Sequence, residues 1–431
     1  RYPITFRISL DHRFPGGRDI EESMKILDVL DKSGIDAFDV DAGCYETEDY
    51  IFPSRYNGDA CMAYVCEQAR KHLSKPIINA GNHSMESAVE LLKSGNADMI
   101  QFGRQSIADP SFPNKLKCGR REDVRPCIIC NEECIGRIFG RRTQLSCTVN
   151  PSAGFEESME VKKLERAQNV VVIGAGPGGM EAARCAAERG CNVTVYDRNA
   201  SLGGTFKVIA TGDFKHRIRE LIKWYELQLK KLGVKMVLNT EIGAEAECLK
   251  NADAIFVATG SNALVPPIPG IDNSKVIDVY DVHKNGLPEG KKVVICGGGL
   301  SACDTALEYA PLGREITIVE MRSKIGADVM YINAISINRM LDEYGVTRLT
   351  DTKVVGITDE GVVVQTPEGQ KTLEADVIVG AFGRKPNMEL ARSILKAYPT
   401  KTAIIGDCRE PAKAGNAIRE GFYAAMSLQD M

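Results

Sequence analysis

No apolar run in the chain approaches the roughly 18 residues a membrane-crossing helix needs. No short basic-then-apolar leader with a small-residue cleavage site opens it either. A span and a secretory signal are therefore both absent from the reading, and a cytoplasmic location is expected. Positive charge is not in excess: 54 Lys and Arg face 58 Asp and Glu, a net charge of −4. That balance argues against nucleic acid or an anionic membrane as the main partner. Without a secretory route, the 14 cysteines are expected as reduced thiols, most of them small buried hydrophobes such as Cys185, Cys191 and Cys296. A methionine start is also missing. Arg1 stands first and a strand-like run follows almost at once, so the chain is expected to be a fragment.

What is present points to several domains, since 431 residues exceed one ordinary core. Over 1–118, strand-length apolar runs alternate with helical patterns. ITFRIS (4–9), IDAFDV (35–40), PIINA (76–80) and ADMIQF (97–102) read as parallel strands with helical crossovers near 19–33, 58–72, 84–95 and 109–118. Ser84 is an expected N-cap and Gly95 an expected stop. Either an open doubly wound sheet or a (β/α)8 barrel fits. The third and fourth strands end in Gly81 and in Gly103-Arg104, and bared N–H groups beside an arginine suit a phosphate dianion. Barrels often hold phosphate after their last two strands, so the segment is expected to be the C-terminal half of a barrel. Arg7, a charge inside an apolar strand, could face an electron-rich cofactor ring; a salt bridge to Asp39 or Asp41 is the alternative.

Between 119 and 151 stand Cys127, Cys130, Cys134 and Cys147, spaced C-x2-C-x3-C-x12-C. Zinc sites usually show two separate C-x2-4-C knuckles. Three cysteines crowded in one loop with a distant fourth suit a cubane iron–sulfur cluster better, though spacing alone leaves zinc open.

NVVVIGAGPGG…VTVYDR carries G-x-G-x-x-G as Gly174, Gly176 and Gly179 between a buried strand and a helix, with Asp197 18 residues after the last glycine. The glycines let backbone approach a pyrophosphate at a helix N-terminus, and Asp197 suits an adenosine ribose. A second unit, KKVVICGGGLSACDTALEYAPLGREITIVE, places Gly297, Gly299 and Ala302 at the three small positions. Its second strand ends in Glu320, a carboxylate that accepts from a free 2′-hydroxyl and repels a 2′-phosphate, favouring NADH over NADPH. Two dinucleotide units imply hydride transfer from nicotinamide to flavin. Gly406 and Asp407 end a later strand, where a carboxylate can hydrogen-bond a ribityl chain.

On these motifs the chain resembles the old-yellow-enzyme-related iron–sulfur flavoenzymes (2,4-dienoyl-CoA reductase, enoate reductases, trimethylamine dehydrogenase), the CIICNEECIGRIFG…LSCTVNP stretch being the most specific. The resemblance implies an α/β chain: half an FMN-binding (β/α)8 barrel (1–118), a [4Fe-4S] segment (119–151), an FAD domain (168–285 and 376–431) and an NAD(P) domain (286–375), both Rossmann-like. It places Arg7 by the FMN pyrimidine and Gly81, Gly103 and Arg104 at its phosphate. The four cysteines become cluster ligands, and Gly174, Gly176, Gly179, Asp197, Gly204, Thr259, Gly260 and Asp407 line the FAD site. It further implies hydride from NADH to FAD, single electrons through the cluster to FMN, and reduction of an activated C=C in a small unsaturated substrate such as an enoate, enone or dienoyl thioester. Amine dehydrogenation or demethylation is the alternative within the family; an NADH:FAD diaphorase module is the alternative outside it. Where dienoyl-CoA reductases carry a histidine, this chain reads AGCYE, which makes Tyr45 the candidate proton donor or carbonyl ligand. A homo-oligomer is possible on the same precedent.

Overall fold

A computed structural model describes residues 2–429; Arg1, Asp430 and Met431 lie outside it. The first four strands, Thr5–Ser9, Ala37–Asp41, Ile77–Asn79 and Met99–Ile100, pair in parallel and lie side by side in chain order. A doubly wound sheet would reverse direction at a switch point; sequential order with outer helices is the barrel pattern. Ile8, Phe38, Val40 and Ile77 pack with Met24, Leu27, Val65 and Ala69 of the helices outside, while the alternate positions carry Arg7, Asp39 and Asp41. The helix Ile20–Leu30 starts where Asp19 accepts from Glu22 N, and Met85–Lys93 starts on Ser84 as expected. Gly95 then takes φ +73° just past its end. Two expectations shift. The helix placed over 58–72 is confined to Tyr64–Arg70, because the chain before it winds through short turns. The helix placed over 109–118 is shortened to Phe112–Lys117, and a separate helix, Gly103–Ala108, precedes it. Pro110 disfavours helical backbone at Asp109, which is extended at φ −149°, and the chain breaks there.

The next sheet runs Thr402–Ile404, Ala254–Val257, Asn169–Ile173, Asn192–Tyr196, Lys235–Val237 in space, all parallel. Its order reverses between Asn169–Ile173 and Ala254–Val257, so the first glycine-rich turn emerges at the switch point, where such sheets bind ligands. The second dinucleotide sheet runs Val276–Asp278, Val377–Gly380, Lys292–Cys296, Glu315–Val319, Thr347–Leu349, with an antiparallel three-stranded sheet beside it. This unit is wider than the 286–375 expected from sequence. Val276–Asp278 and Val377–Gly380 are its edge and its switch-point strand, and their partners lie about a hundred residues away in sequence. The links between the two units are the short paired strands Ser261–Ala263 and Arg384–Pro386.

Buried polar ties join the units. Asp304 of the second dinucleotide unit accepts from the barrel segment's Tyr56 hydroxyl at 2.7 Å and pairs with Lys215 at 2.8 Å. Asp49, fully buried in the barrel segment, accepts from Ser336 Oγ at 2.8 Å and pairs with Arg339 at 2.7 Å.

Candidate functional site

The cysteine loop lies where the three units meet. Gln105 of the barrel segment grips it from one side, its Oε1 accepting from Cys127 N at 2.9 Å and its Nε2 donating to Arg125 O at 2.8 Å. From the second dinucleotide unit, Asn333 Nδ2 donates to Cys130 O at 2.8 Å. From the helix Ala414–Met426, Arg419 pairs with Glu133 at 2.6 Å. Ile129 and Asn131 sit at φ +50° and +58°, left-handed conformations that cost non-glycine residues energy, most of all a β-branched one. That strain curls Cys127, Cys130 and Cys134 toward one pocket, which Cys147 closes. Burial pushes the Cys134 thiol up to about 12 and those of Cys130 and Cys147 upward as well, and Cys130 Sγ donates to Thr148 Oγ1 at 3.1 Å. Among the described residues no three His, Cys, Asp or Glu side chains converge on a single metal ion. All four thiol-bearing residues line the same pocket.

Arg104 belongs to this pocket. Its Nη1 donates to Asn131 Oδ1 at 2.6 Å and to Pro53 O at 2.5 Å, so the side chain ties the loop to the barrel segment. Arg7 is likewise held by carboxylates, its Nε donating to Asp41 Oδ2 at 2.9 Å and its Nη1 lying 3.3 Å from Asp39 Oδ2. The ion-pair alternative is the geometry seen, because two acidic side chains face it across the register. Gly81 takes φ +123°, with Met62 beneath it, and Gly103 opens a short helix with clear space where a Cβ would stand. Tyr45 follows the strand Ala37–Asp41 and is 87% exposed.

One cleft of about 1390 Å3 takes in Gly174, Gly176, Asp197, Gly204, Thr259, Gly260, Gly406 and Asp407. Gly174 turns at φ +102°, and a Cβ there would stand 2.3 Å from Ala258 O. A Cβ on Gly176, the N-cap of the helix Pro177–Glu188, would meet nothing within 4 Å, which leaves a cradle open at that N-terminus. Gly179 does not line the cleft. Its missing Cβ lets the helix pass Gly174 O, 1.9 Å from where that Cβ would be, so its role is close packing beneath the turn. Asp197 accepts from Ala175 N and Asn199 N, each at 2.7 Å; Asp407 accepts from Ser261 Oγ at 3.1 Å. The second turn repeats the first: Gly297 has φ +113°, with Ala381 O 2.3 Å from its Cβ position. Gly299 caps the helix Leu300–Tyr309, and Glu320 accepts from Gly298 N at 2.7 Å and Arg322 N at 2.8 Å.

Asn131 is expected from sequence as a turn residue that curls the loop; Gln105, Asn333, Glu133 and Arg419 around the thiols are not. Glu133, a polar residue inside the cysteine loop, was the available signal. Nothing in sequence marks Asn333, 203 residues from its partner.

Two family descriptions cover the chain: pyridine nucleotide-disulphide oxidoreductase over residues 168–421, and NADH:flavin oxidoreductase / NADH oxidase over residues 1–123. An NADH oxidase of Thermoanaerobacter brockii is 34% identical over 99% of this chain and 67% of its own. A cinnamate reductase of Clostridium sporogenes is 35% identical over 96% of this chain and 62% of its own. The solved structure of a 2-naphthoyl-CoA reductase in complex with 2-naphthoyl-CoA matches at a TM-score of 0.92 and 30% identity, over 99% of this chain and 66% of that one. The chain thus spans about two thirds of the length of these relatives. No helix among the described residues is long and apolar enough to cross a membrane.

Proposed function

The chain belongs to the pyridine nucleotide-disulphide oxidoreductase family, joined to a segment of the NADH:flavin oxidoreductase family, and from that premise we propose that it serves NADH-dependent reduction of an activated C=C bond, of the 2-enoate, enone or unsaturated thioester type. The observation that carries this reading is the junction. Four thiols rim one pocket held from the barrel segment by Gln105, from the FAD-side helix by Arg419 and from the second dinucleotide unit by Asn333. A wholly thiol donor set lining one pocket, three cysteines from a single loop and a fourth after it, fits a [4Fe-4S] cluster on Cys127, Cys130, Cys134 and Cys147 better than zinc. The open cradle at Gly176 fits an FAD pyrophosphate, with Asp197 at the adenosine end and Asp407 at the ribityl end of the cleft. Gly81 and the N-terminus at Gly103 fit the phosphate of FMN, and Gly297, Gly299 and Glu320 fit NADH. When bound, these groups would supply a hydride donor, hydride-accepting flavins and one-electron carriage.

The chain's own residues bind and orient. Gln105 and Asn333 fix the thiol-bearing loop from opposite sides. Arg7, held by Asp39 and Asp41, is oriented on the barrel's inner face, where its guanidinium can donate a hydrogen bond to a flavin ring. Tyr45 presents a phenol at the C-terminal end of the strands, the end where barrels place their chemistry, and can hold a proton for a substrate carbon or bind its carbonyl.

The reading is tested anaerobically on the protein that carries this chain. NADH is expected to bleach the flavins, and cinnamate-like enoates, enones or unsaturated thioesters to restore their colour. Bleaching without reoxidation by any of these would overturn it, and reduction by secondary or tertiary amines in place of NADH would replace it with amine dehydrogenation.

A further inference from the structure

The two glycine-rich turns are near copies, which makes a difference at their helix N-termini informative. In both, the first glycine passes a carbonyl 2.3 Å from where its Cβ would stand, at Ala258 and at Ala381. In both, the acidic residue ending the second strand accepts from two backbone N–H groups at 2.7–2.8 Å. At the first turn the position after Gly176 is Pro177, which has no N–H, and the space over Gly176 is open. At the second turn the matching residue is Leu300, and its N–H is already taken: Asp328 Oδ1 accepts from it at 3.0 Å. The Asp328 carboxylate also stands 3.4 Å from where a Cβ of Gly299 would be, over the N-terminus of a ten-residue helix. Its other oxygen pairs with Lys413 Nζ at 3.0 Å, and Lys413 belongs to the FAD-side return segment, directly before the helix Ala414–Met426.

A carboxylate over those N–H groups has the place and the sign of a dinucleotide pyrophosphate. The two cannot share it, since the anions would stand in contact. Asp328 is 47% exposed and Lys413 36%, so the pair is held weakly and the side chain has solvent to swing into. We propose that Asp328 is a built-in competitor for the nicotinamide dinucleotide. Its carboxylate occupies the pyrophosphate position of the second turn and must leave before the dinucleotide seats, and the Lys413 ammonium it releases then turns to a phosphate oxygen. The inference rests on the NADH reading of this turn and adds to it a residue that sets nucleotide affinity.

The test uses the FAD-loaded protein and two ligands, ADP-ribose, which has the pyrophosphate, and adenosine, which does not. Asp328→Asn keeps the side-chain size, and Asp328→Ser keeps a short helix cap without charge, so a folding defect in one does not decide the matter. Calorimetric titration is expected to show ADP-ribose binding about tenfold tighter in both variants, the scale of one like-charge contact relieved near solvent, with adenosine unchanged. Unchanged or weaker ADP-ribose binding overturns the proposal and leaves Asp328 a helix cap, as does equal tightening of adenosine. Failure of ADP-ribose to bind the wild type and both variants overturns the NADH reading itself, and the proposal with it.

Discussion

Replacing Gly421 with alanine sets two known effects against each other, and the structure decides the sign. Gly421 lies inside the helix Ala414–Met426, where alanine ordinarily stabilises by about 0.5–1 kcal/mol through helix propensity. Here the new Cβ would stand 2.1 Å from Gly178 O, 3.0 Å from Gly178 C and 3.1 Å from Ala182 N. All three are backbone atoms of the helix Pro177–Glu188, so no side chain can rotate away. Restoring van der Waals separation requires the helices to part by roughly 1 Å, and forced overpacking of this kind costs about 1–3 kcal/mol. A 2.1 Å approach to backbone lies at the upper end of that range, so the clash outweighs the propensity gain, for a net loss of about 2 kcal/mol. Because Gly178 belongs to the first turn over the FAD cradle, flavin affinity is expected to fall along with stability. Thermal unfolding with and without added FAD, and flavin retained after gel filtration, measure both. A Gly421→Ala protein that melts higher than wild type and holds FAD equally well would refute the close-approach argument.

Tyr56→Phe leaves Asp304 Oδ1 buried without its donor and is expected to cost about 1–3 kcal/mol, read as a lowered urea midpoint with secondary structure unchanged. Burial alone would raise the Glu133 carboxyl, but Arg419 and Arg141 beside it hold it below the ordinary value. Its contribution is therefore complete above the unfolded carboxylate pKa of about 4.3 and is lost as pH falls through the lower folded value. Glu133→Gln is expected to flatten the acid limb of the stability curve, measured by chemical unfolding at a series of pH values. Cys134→Ser is expected to strip iron and acid-labile sulfide while FAD content holds, which metal, sulfide and flavin analysis of one preparation checks.

The parts legible in sequence are those whose signal is local. Strand–helix alternation, the caps at Ser84 and Gly95, both glycine-rich turns and the cysteine spacing each lie within a stretch short enough for periodicity or turn chemistry to mark. The parts that escaped depend on pairings across the chain. Arg104 reads as a phosphate ligand from its local setting, and no local pattern shows that its Nη1 also donates to Asn131 Oδ1 and Pro53 O. Gly179 reads as a cofactor residue from its motif, but the space it clears is taken by Gly174 O. The second dinucleotide unit extends to Val276 and Gly380 because parallel pairing recruits short strands that no local pattern distinguishes.

How a dinucleotide reaches the second turn follows from what holds that unit in place. Domains joined by linkers as short as Ser261–Ala263 and Arg384–Pro386 ordinarily move relative to one another. Here rotation would pull Asp304 from Lys215, side chains only 6% and 2% exposed, and would part Asp49 from Arg339 and Ser336. A rotated state would have to give up these contacts and the Tyr56 hydrogen bond to Asp304 together. Asp328 and Lys413, by contrast, meet near solvent, where separation costs about 0–1 kcal/mol. Leu300 and Asp328 both belong to the second dinucleotide unit, so rotating that unit would not uncover the N–H of Leu300, whereas moving the half-exposed carboxylate does. Nucleotide entry is therefore expected to leave the interface of Tyr56, Lys215 and Asp304 intact. Hydrogen exchange with and without ADP-ribose should show changes over 298–302 and 326–330 and none over 54–57; protection lost at 54–57 on binding would favour rotation instead.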